Sequence, residues 1–286
     1  MKTLSISKLL NELKSQDNFV FLETKRATKK DNRSFLFKDP CKIICCQDSS
    51  TLEASISEIE ALIKKGYYAA GYIAYEAGFC FEPALFSKIR PHGFPLLWFG
   101  IYKKPVIYNH KKTVFNDGYS NHNYVLNSEG FNVVKDEYVK AIDEIKKQIE
   151  GGYTYQVNYT FKEKFSFSGD VKDFYLGLRA NQSVAYSSFL KASDRFVLSF
   201  SPELFFRRKN RFIEVMPMKG TAKRGRNLSE DKKNIDSLSQ SFKNRSENVM
   251  IVDLLRNDLG KICVKDTVKT KSLFNVQAFE SVLQMT

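Results

Sequence analysis

The sequence predicts an α+β fold with antiparallel sheets, and three observations carry that expectation. Strand-like and helix-like segments do not alternate strictly, which argues against a doubly wound Rossmann arrangement. Aromatic residues make up 14%, with 24 Phe and 14 Tyr against one Trp, and rings pack well on pleated surfaces, so many short, half-buried strands are expected. The 286 residues are 43% hydrophobic and 27% charged, with 14 Gly and 7 Pro. That is enough apolar material for one large domain or two small ones, and it excludes disordered, collagenous and low-complexity classes.

Taken in chain order, MKTLSISKLLNELKSQ sets Lys8, Glu12 and Lys14 among leucines. It reads as an amphipathic helix and lacks the apolar core of a signal peptide. Residues 19–24 and 33–46 look like strands, and Ser50–Lys65 carries Leu, Ile and Ala at helical spacing up to Gly66. Strands are expected again over Tyr67–Tyr75 and Leu96–Tyr108. The most apolar stretch, Tyr67–Phe81, is broken by Glu76 and is too short to span a bilayer, so no membrane segment is expected. The polar stretch 109–130 reads as a long loop or hairpin joining two halves. Tyr138, Ile142, Ile145 and Ile149 share one helical face, stopped by Gly151-Gly152. A strand around Tyr155–Phe167 and a short helix near 172–181 follow. Strands at Arg195–Ser199, Leu204–Arg208 and Arg211–Val215 come next, the last two joined across Lys209-Asn210 as a tight hairpin. A polar stretch over 225–241 leads into a second strong helix from Glu247 to about Asn257.

The formal charge is +13, but the cations fall in scattered pairs such as Lys64-Lys65 and Lys232-Lys233. A solvated surface is the expected reading, and a nucleic-acid partner is not expected. Five cysteines without metal-type spacing read as reduced, packed thiols of a cytoplasmic protein. No GxGxxG, GxxxxGK[ST], HExxH or GxSxG occurs, and His92, His110 and His122 lie in loop-like surroundings and are expected at the surface. Two places remain where chemistry fits. Glu203 closes Ser201-Pro202-Glu203, and Lys219 precedes Gly220-Thr221. A hairpin between them would turn carboxyl and amine toward one cleft, and the glycine would let a ligand approach the backbone. An ordinary strand-end Glu and surface Lys are the alternative. On the second helix Glu247, Met250, Leu254 and Asp258 share a face beside Asp253 and Asn257. That pattern suits a hard cation or, equally, dipole and capping roles.

Together Ser201-Pro202-Glu203, Pro217-Met218-Lys219-Gly220-Thr221 and the run Glu247 to Gly260 closely resemble the chorismate-utilising enzymes in order and spacing. Gly152 to Asn158 and Gly71-Tyr72-Ile73-Ala74-Tyr75-Glu76 extend the resemblance over nearly the whole chain. It implies antiparallel sheets packed as a two-layer sandwich with peripheral helices, like anthranilate synthase component I. Residues 1–125 would form the N-terminal half and 126–286 the first part of the catalytic region. The lysine before Gly-Thr resembles component I of aminodeoxychorismate synthase, whereas anthranilate synthases typically carry alanine. Gln156 stands where water-adding relatives place a lysine. The resemblance implies Lys219 as the nucleophile toward chorismate, Glu203 as the acid for the departing hydroxyl, and Gly220, Thr221 and Gln156 as substrate-binding residues. It further implies Glu247 on a magnesium ion and a separate glutamine amidotransferase subunit as ammonia source. Anthranilate synthase component I and a non-catalytic chorismate-fold binding module are the alternatives. Relatives continue past Thr286 with a further catalytic portion, and many have histidine where Leu283 stands, so a C-terminally truncated chain with little activity alone is expected. Leu22-Glu23-Thr24 resembles a strand that forms a tryptophan pocket in some relatives, although a plain edge strand is the favoured reading.

Overall fold

In the computed structural model, which describes residues 2–82, 84–85, 93–116 and 123–286, the N-terminal segment begins with β1 (Lys2–Ser5) and α1 (Ile6–Glu12), not one continuous helix. Then follow β2 (Asn18–Glu23), β3 (Arg33–Lys38), β4 (Lys42–Cys46), α2 (Leu52–Lys64), β5 (Tyr68–Ile73), β6 (Leu97–Tyr102), β7 (Val106–Asn109) and β8 (Thr113–Asn116). The second half comprises β9 (Tyr124–Phe131), α3 (Lys135–Glu150), β10 (Glu163–Gly169), α4 (Val171–Asn181), β11 (Tyr186–Ala192), β12 (Arg195–Ser201), β13 (Leu204–Lys209) and β14 (Phe212–Met216). It closes with β15 (Lys219–Lys223), α5 (Leu228–Gln240), α6 (Phe242–Ile262), β16 (Val276–Ala278) and β17 (Val282–Met285).

The α+β expectation holds. A five-stranded antiparallel sheet, β12-β11-β2-β3-β7, faces the three-stranded antiparallel sheet β4-β6-β5. Val20, Phe37 and Leu190 of the first meet Ala70, Trp98 and Tyr102 of the second in one buried cluster. The far side of the smaller sheet packs on α2 through Ile44, Leu52, Ile59, Leu97 and Ile101. This layering follows from the period-2 alternation of the strands and the 3.6 period of α2. Gly71 marks the tightest point. A side chain there would meet the Trp98 carbonyl oxygen at 1.9 Å.

By contact the chain divides into residues 1–118 with 178–286, and residues 119–177. The smaller unit pairs β9 with β10 antiparallel, and rings of Phe131, Tyr138, Tyr159 and Phe161 pack together beside α3. The expected 109–130 loop is replaced in part by β8 and, in the smaller unit, by β9, and residues 155–162 are not strand. The polar 225–241 stretch is also corrected: it holds α5, started by Asn227, whose side chain accepts the Glu230 N–H at 2.9 Å. Among the described residues no helix is long and apolar enough to cross a membrane. All five cysteines are free thiols, and Cys41 and Cys45 are exposed, contrary to the packed reading.

The edge-strand reading of Leu22-Glu23-Thr24 is overturned, because β2 lies in the middle of its sheet between β11 and β3. Glu23 and Arg179 of α4 form a buried pair, 1% and 3% exposed, with Nη2 to Oε1 at 2.7 Å and Nε to both oxygens at 2.9 Å. Nearby Ser34 accepts the Thr24 N–H at 3.0 Å and contacts His110 Nε2 at 2.8 Å. His110 is thus half-buried, contrary to the surface reading, because β3–β7 pairing carries it over Ser34; His92 and His122 lie outside the described residues. Burial pushes the His110 pKa below its ordinary 6.5, with Arg179 acting in the same direction and Glu23 against it. A depressed histidine pKa means that the unfolded chain binds the proton first as pH falls. The stability tied to His110 is therefore full above about pH 6.5 and is lost as pH falls toward the folded pKa. Melting temperatures between roughly pH 7.5 and 5 should fall less for His110→Gln than for the parent.

Candidate active site

The hairpin expected between Glu203 and Lys219 forms, and its register explains how residues distant in sequence meet. β13 and β14 are antiparallel with Leu204 opposite Met216 and a turn at Asn210, which takes φ 55°. Glu203 therefore lies beside the strand exit, where its Oε1 accepts the Met218 N–H at 3.0 Å. The Glu203 N–H donates to Ser201 Oγ at 3.2 Å, a local turn that holds the carboxyl at the end of β12. Lys219, half-buried, is the next residue and opens β15. Strand β15 pairs with β17, Lys219 facing Met285, and β17 is buried under α5 by Leu238, Leu283 and Met285. Leu283 is thus a fully buried core residue.

Gly220 has a defined local task. The β15–β17 register shifts between Lys219 and Thr221, and Gly220 sits at φ +75°, so it is the extra, left-handed residue of a β-bulge. Such bulges re-aim the neighbouring side chain, here that of Lys219. A Cβ at Gly220 would stand 3.0 Å from the Asn244 Cβ of α6, so the glycine also permits close packing of strand on helix. Gly220→Ala should cost about 1–2 kcal/mol from the left-handed backbone, plus displacement of Asn244; urea unfolding measures the stability loss, and turnover should fall with it.

Asn244 belongs to the first turn of α6, capped by Ser241, whose Oγ accepts from the Asn244 Nδ2 at 2.9 Å. The helix lays Asn244, Asn248, Ile251 and Leu255 along its less exposed face. Glu247 is half-buried, and the Lys243 Nζ approaches its Oε1 at 4.0 Å. Asp253 and Asp258 are exposed and pair with Arg256 at 3.2 Å and Lys261 at 3.0 Å. Of the two readings left open for this helix, these two carboxylates take the solvated one. Among the described residues no group of three His, Cys, Asp or Glu side chains is placed to hold a metal ion. Thr221 is exposed opposite Gln284. Gln156 is exposed within the 119–177 unit, its carbonyl accepting the Thr154 hydroxyl at 3.2 Å.

Two features carry no signal in the sequence reading. Arg224, just past β15, donates from Nε to both Asp231 oxygens at 3.0 Å and from a terminal nitrogen to the Phe279 carbonyl, so it ties the strand to α5. These bonds hold the Asp231 carboxyl below its usual range. The other is Asn248 of α6, fully buried with neither side-chain polar atom hydrogen-bonded. A groove of about 590 Å³ runs along the outer face of α6, lined by Asp253, Arg256, Asn257, Gly260, Lys261 and Val268. It contains Asp253 and Asn257 of the candidate cation pattern, but not Glu203, Lys219 or Glu247.

A family model described as chorismate binding enzyme matches residues 17–286. Anthranilate synthase component 1 of Saccharolobus solfataricus is 32% identical over 244 residues, covering 80% of this chain and 56% of that protein. Aminodeoxychorismate synthase component 1 of Salmonella typhimurium is 29% identical over 232 residues, covering 75% of this chain and 51% of its own length. The chain thus spans about half the length of these curated relatives. Among solved structures, anthranilate synthase component I from Streptococcus pneumoniae superposes with a TM-score of 0.69 at 17% identity, over 91% of this chain and 69% of that one. That likeness is one of fold.

Proposed function

The chain belongs to the chorismate binding enzyme family, and on that premise we propose that it aminates chorismate at C4 to give 4-amino-4-deoxychorismate, as an aminodeoxychorismate synthase component 1. The observation that carries the reading is the bond from the Met218 N–H to the Glu203 carboxylate. It puts an acid against the residue that precedes Lys219 in the Met-Lys-Gly-Thr run.

In this reading the neutral Lys219 amine forms a bond to ring C2, both ring double bonds shift one position round the ring (C1=C2 to C6=C1, C5=C6 to C4=C5), and the C4–oxygen bond breaks. Glu203 gives the proton that turns the departing hydroxyl into water. Ammonia then bonds to C4, both ring double bonds return to their first positions, and the C2–nitrogen bond breaks with its electron pair going back to Lys219. That nitrogen takes a proton from the new ammonium. Ammonia has replaced water, and no oxidant or reductant is consumed. The Gly220 bulge fixes the direction of Lys219, while Thr221 and Gln156 are proposed to bind substrate. Glu247 is the carboxylate proposed to face magnesium. A single carboxylate is no preformed cage, yet magnesium is commonly held by one or two carboxylates with substrate oxygens and water completing the shell. When bound, the ion would supply charge neutralisation of a substrate carboxylate. The name component 1 borne by the relatives favours a second component, proposed to be a glutamine amidotransferase supplying ammonia. A cytoplasmic role on the route to 4-aminobenzoate and folate completes the proposal.

The second reading, anthranilate synthesis, is favoured by the Saccharolobus relative. The two reactions differ in a product that is simple to measure. The 4-amino product keeps its enolpyruvyl ether, whereas making anthranilate expels pyruvate. Incubation with chorismate, ammonium and magnesium should yield the amino product without pyruvate; pyruvate released in step with anthranilate would replace the first reading by the second.

A further inference from the structure

Asn244 does not do what its place in α6 leads one to expect. It is the third residue of a helix capped by Ser241, where a polar side chain ordinarily reaches back to the backbone N–H of the cap residue. In this chain the Ser241 N–H is already taken by the Leu238 carbonyl at 3.3 Å. Asn244 instead donates from Nδ2 to Ser241 Oγ at 2.9 Å. That bond leaves Oδ1 turned away from the cap and toward β15. The three atoms that a Cβ on Gly220 would meet first all belong to this side chain: Cβ at 3.0 Å, Cγ at 3.1 Å and Oδ1 at 3.1 Å.

Gly220 is the left-handed residue of the bulge that follows Lys219. The extra residue of a bulge is unpaired and disrupts the ladder around it, so its conformation needs support from outside the ladder. We propose that Asn244 is the positioning residue for Lys219: its carboxamide, oriented by Ser241, presses on Gly220 and keeps the bulge that aims the amine. The support closes on itself. Ser241 is also the residue at which α5 ends, and α5 covers β17, the partner strand of β15. The amide is therefore anchored to the same layer that it braces. This inference rests on the amination reading, in which the amine has to meet ring C2 along one direction. Productive geometry of that kind has to be held within about 0.5 Å and 10–20°, and a misplacement of about 1 Å costs about 10²-fold in rate. Asn244 makes no bond to chorismate in this assignment; its effect is carried through the backbone of Gly220.

The test uses the full chain and two readouts on Asn244→Ala. In the first, hydrogen exchange followed by mass spectrometry on the peptide covering Lys219–Lys223 should be faster by about tenfold or more, while the β13–β14 hairpin exchanges at the parent rate. In the second, the covalent adduct on the Lys219 peptide, formed from chorismate without ammonia, should appear about 10–100-fold more slowly. Ammonia-dependent kcat should fall with it while KM for chorismate changes little. Asn244→Leu refills the space over Gly220 but gives Ser241 no polar atom to hold. It guards against a folding defect in the alanine variant and should show both changes in smaller degree. Parent exchange rates in both variants would overturn the assignment, and so would faster exchange with adduct formation at the parent rate. Faster exchange in variants of a parent that neither forms the adduct nor aminates chorismate would uphold the brace on the bulge and overturn the amination reading.

Discussion

Lys219→Ala should lower ammonia-dependent conversion of chorismate by about 10³-fold or more, equivalent to at least about 4 kcal/mol of transition-state stabilisation. The proposed adduct cannot form without the amine. The fold should be little affected. Lys219 is half-buried at a strand start, whereas its cross-strand neighbour Met285 carries the packing. Circular dichroism and melting temperature should therefore match the parent while product, followed by chromatography, disappears. Glu203→Gln should behave similarly but less severely, because the amide oxygen still accepts the Met218 N–H that holds the turn.

Arg179→Met should be the most damaging single change to stability, about 3–5 kcal/mol, because it strands the Glu23 carboxylate in the interior without its partner. That is a large share of the about 5–15 kcal/mol that holds a typical domain together. Three short bonds to one carboxylate, 1% exposed, leave no route for water to take the place of the guanidinium. The double variant Glu23→Leu with Arg179→Met should recover much of the loss, since replacing both ions with apolar groups removes the stranded charge. Urea unfolding of the single and double variants checks both statements. Equal midpoints for parent and Arg179→Met would mean that the pair contributes nothing.

What could be read from the chain alone depended on whether the signal was local. The helices α2 and α3 announce themselves by apolar spacing and a glycine stop, and the Lys209-Asn210 hairpin by its turn residues. Helix α5 did not, since LSEDKKNIDSLSQ is polar on most faces and is held by Leu238 against β17 and by Arg224 bonded to Asp231. The β17 contact is distant in sequence, and the Arg224–Asp231 pair, though only seven residues apart, follows no helix-start pattern. The central position of β2 is a matter of pairing with β11, which begins more than 150 residues later, and no local pattern encodes it. Of the candidate site residues, Glu203, Lys219 and Gly220 are marked by their motif. The reason for Gly220, a left-handed bulge against Asn244, needed coordinates. Asn248 was passed over because an asparagine in a helix reads as surface until its burial is known.

Intact-protein and peptide mass spectrometry of the chain incubated with chorismate in the absence of ammonia bears most directly on the roles given to residues 203 and 219. A covalent adduct on the peptide containing Lys219, equal in mass to chorismate less one water and discharged when ammonium is added, is the expected result. Amination that proceeds with no adduct at Lys219, and at the parent rate in Lys219→Ala, would contradict it.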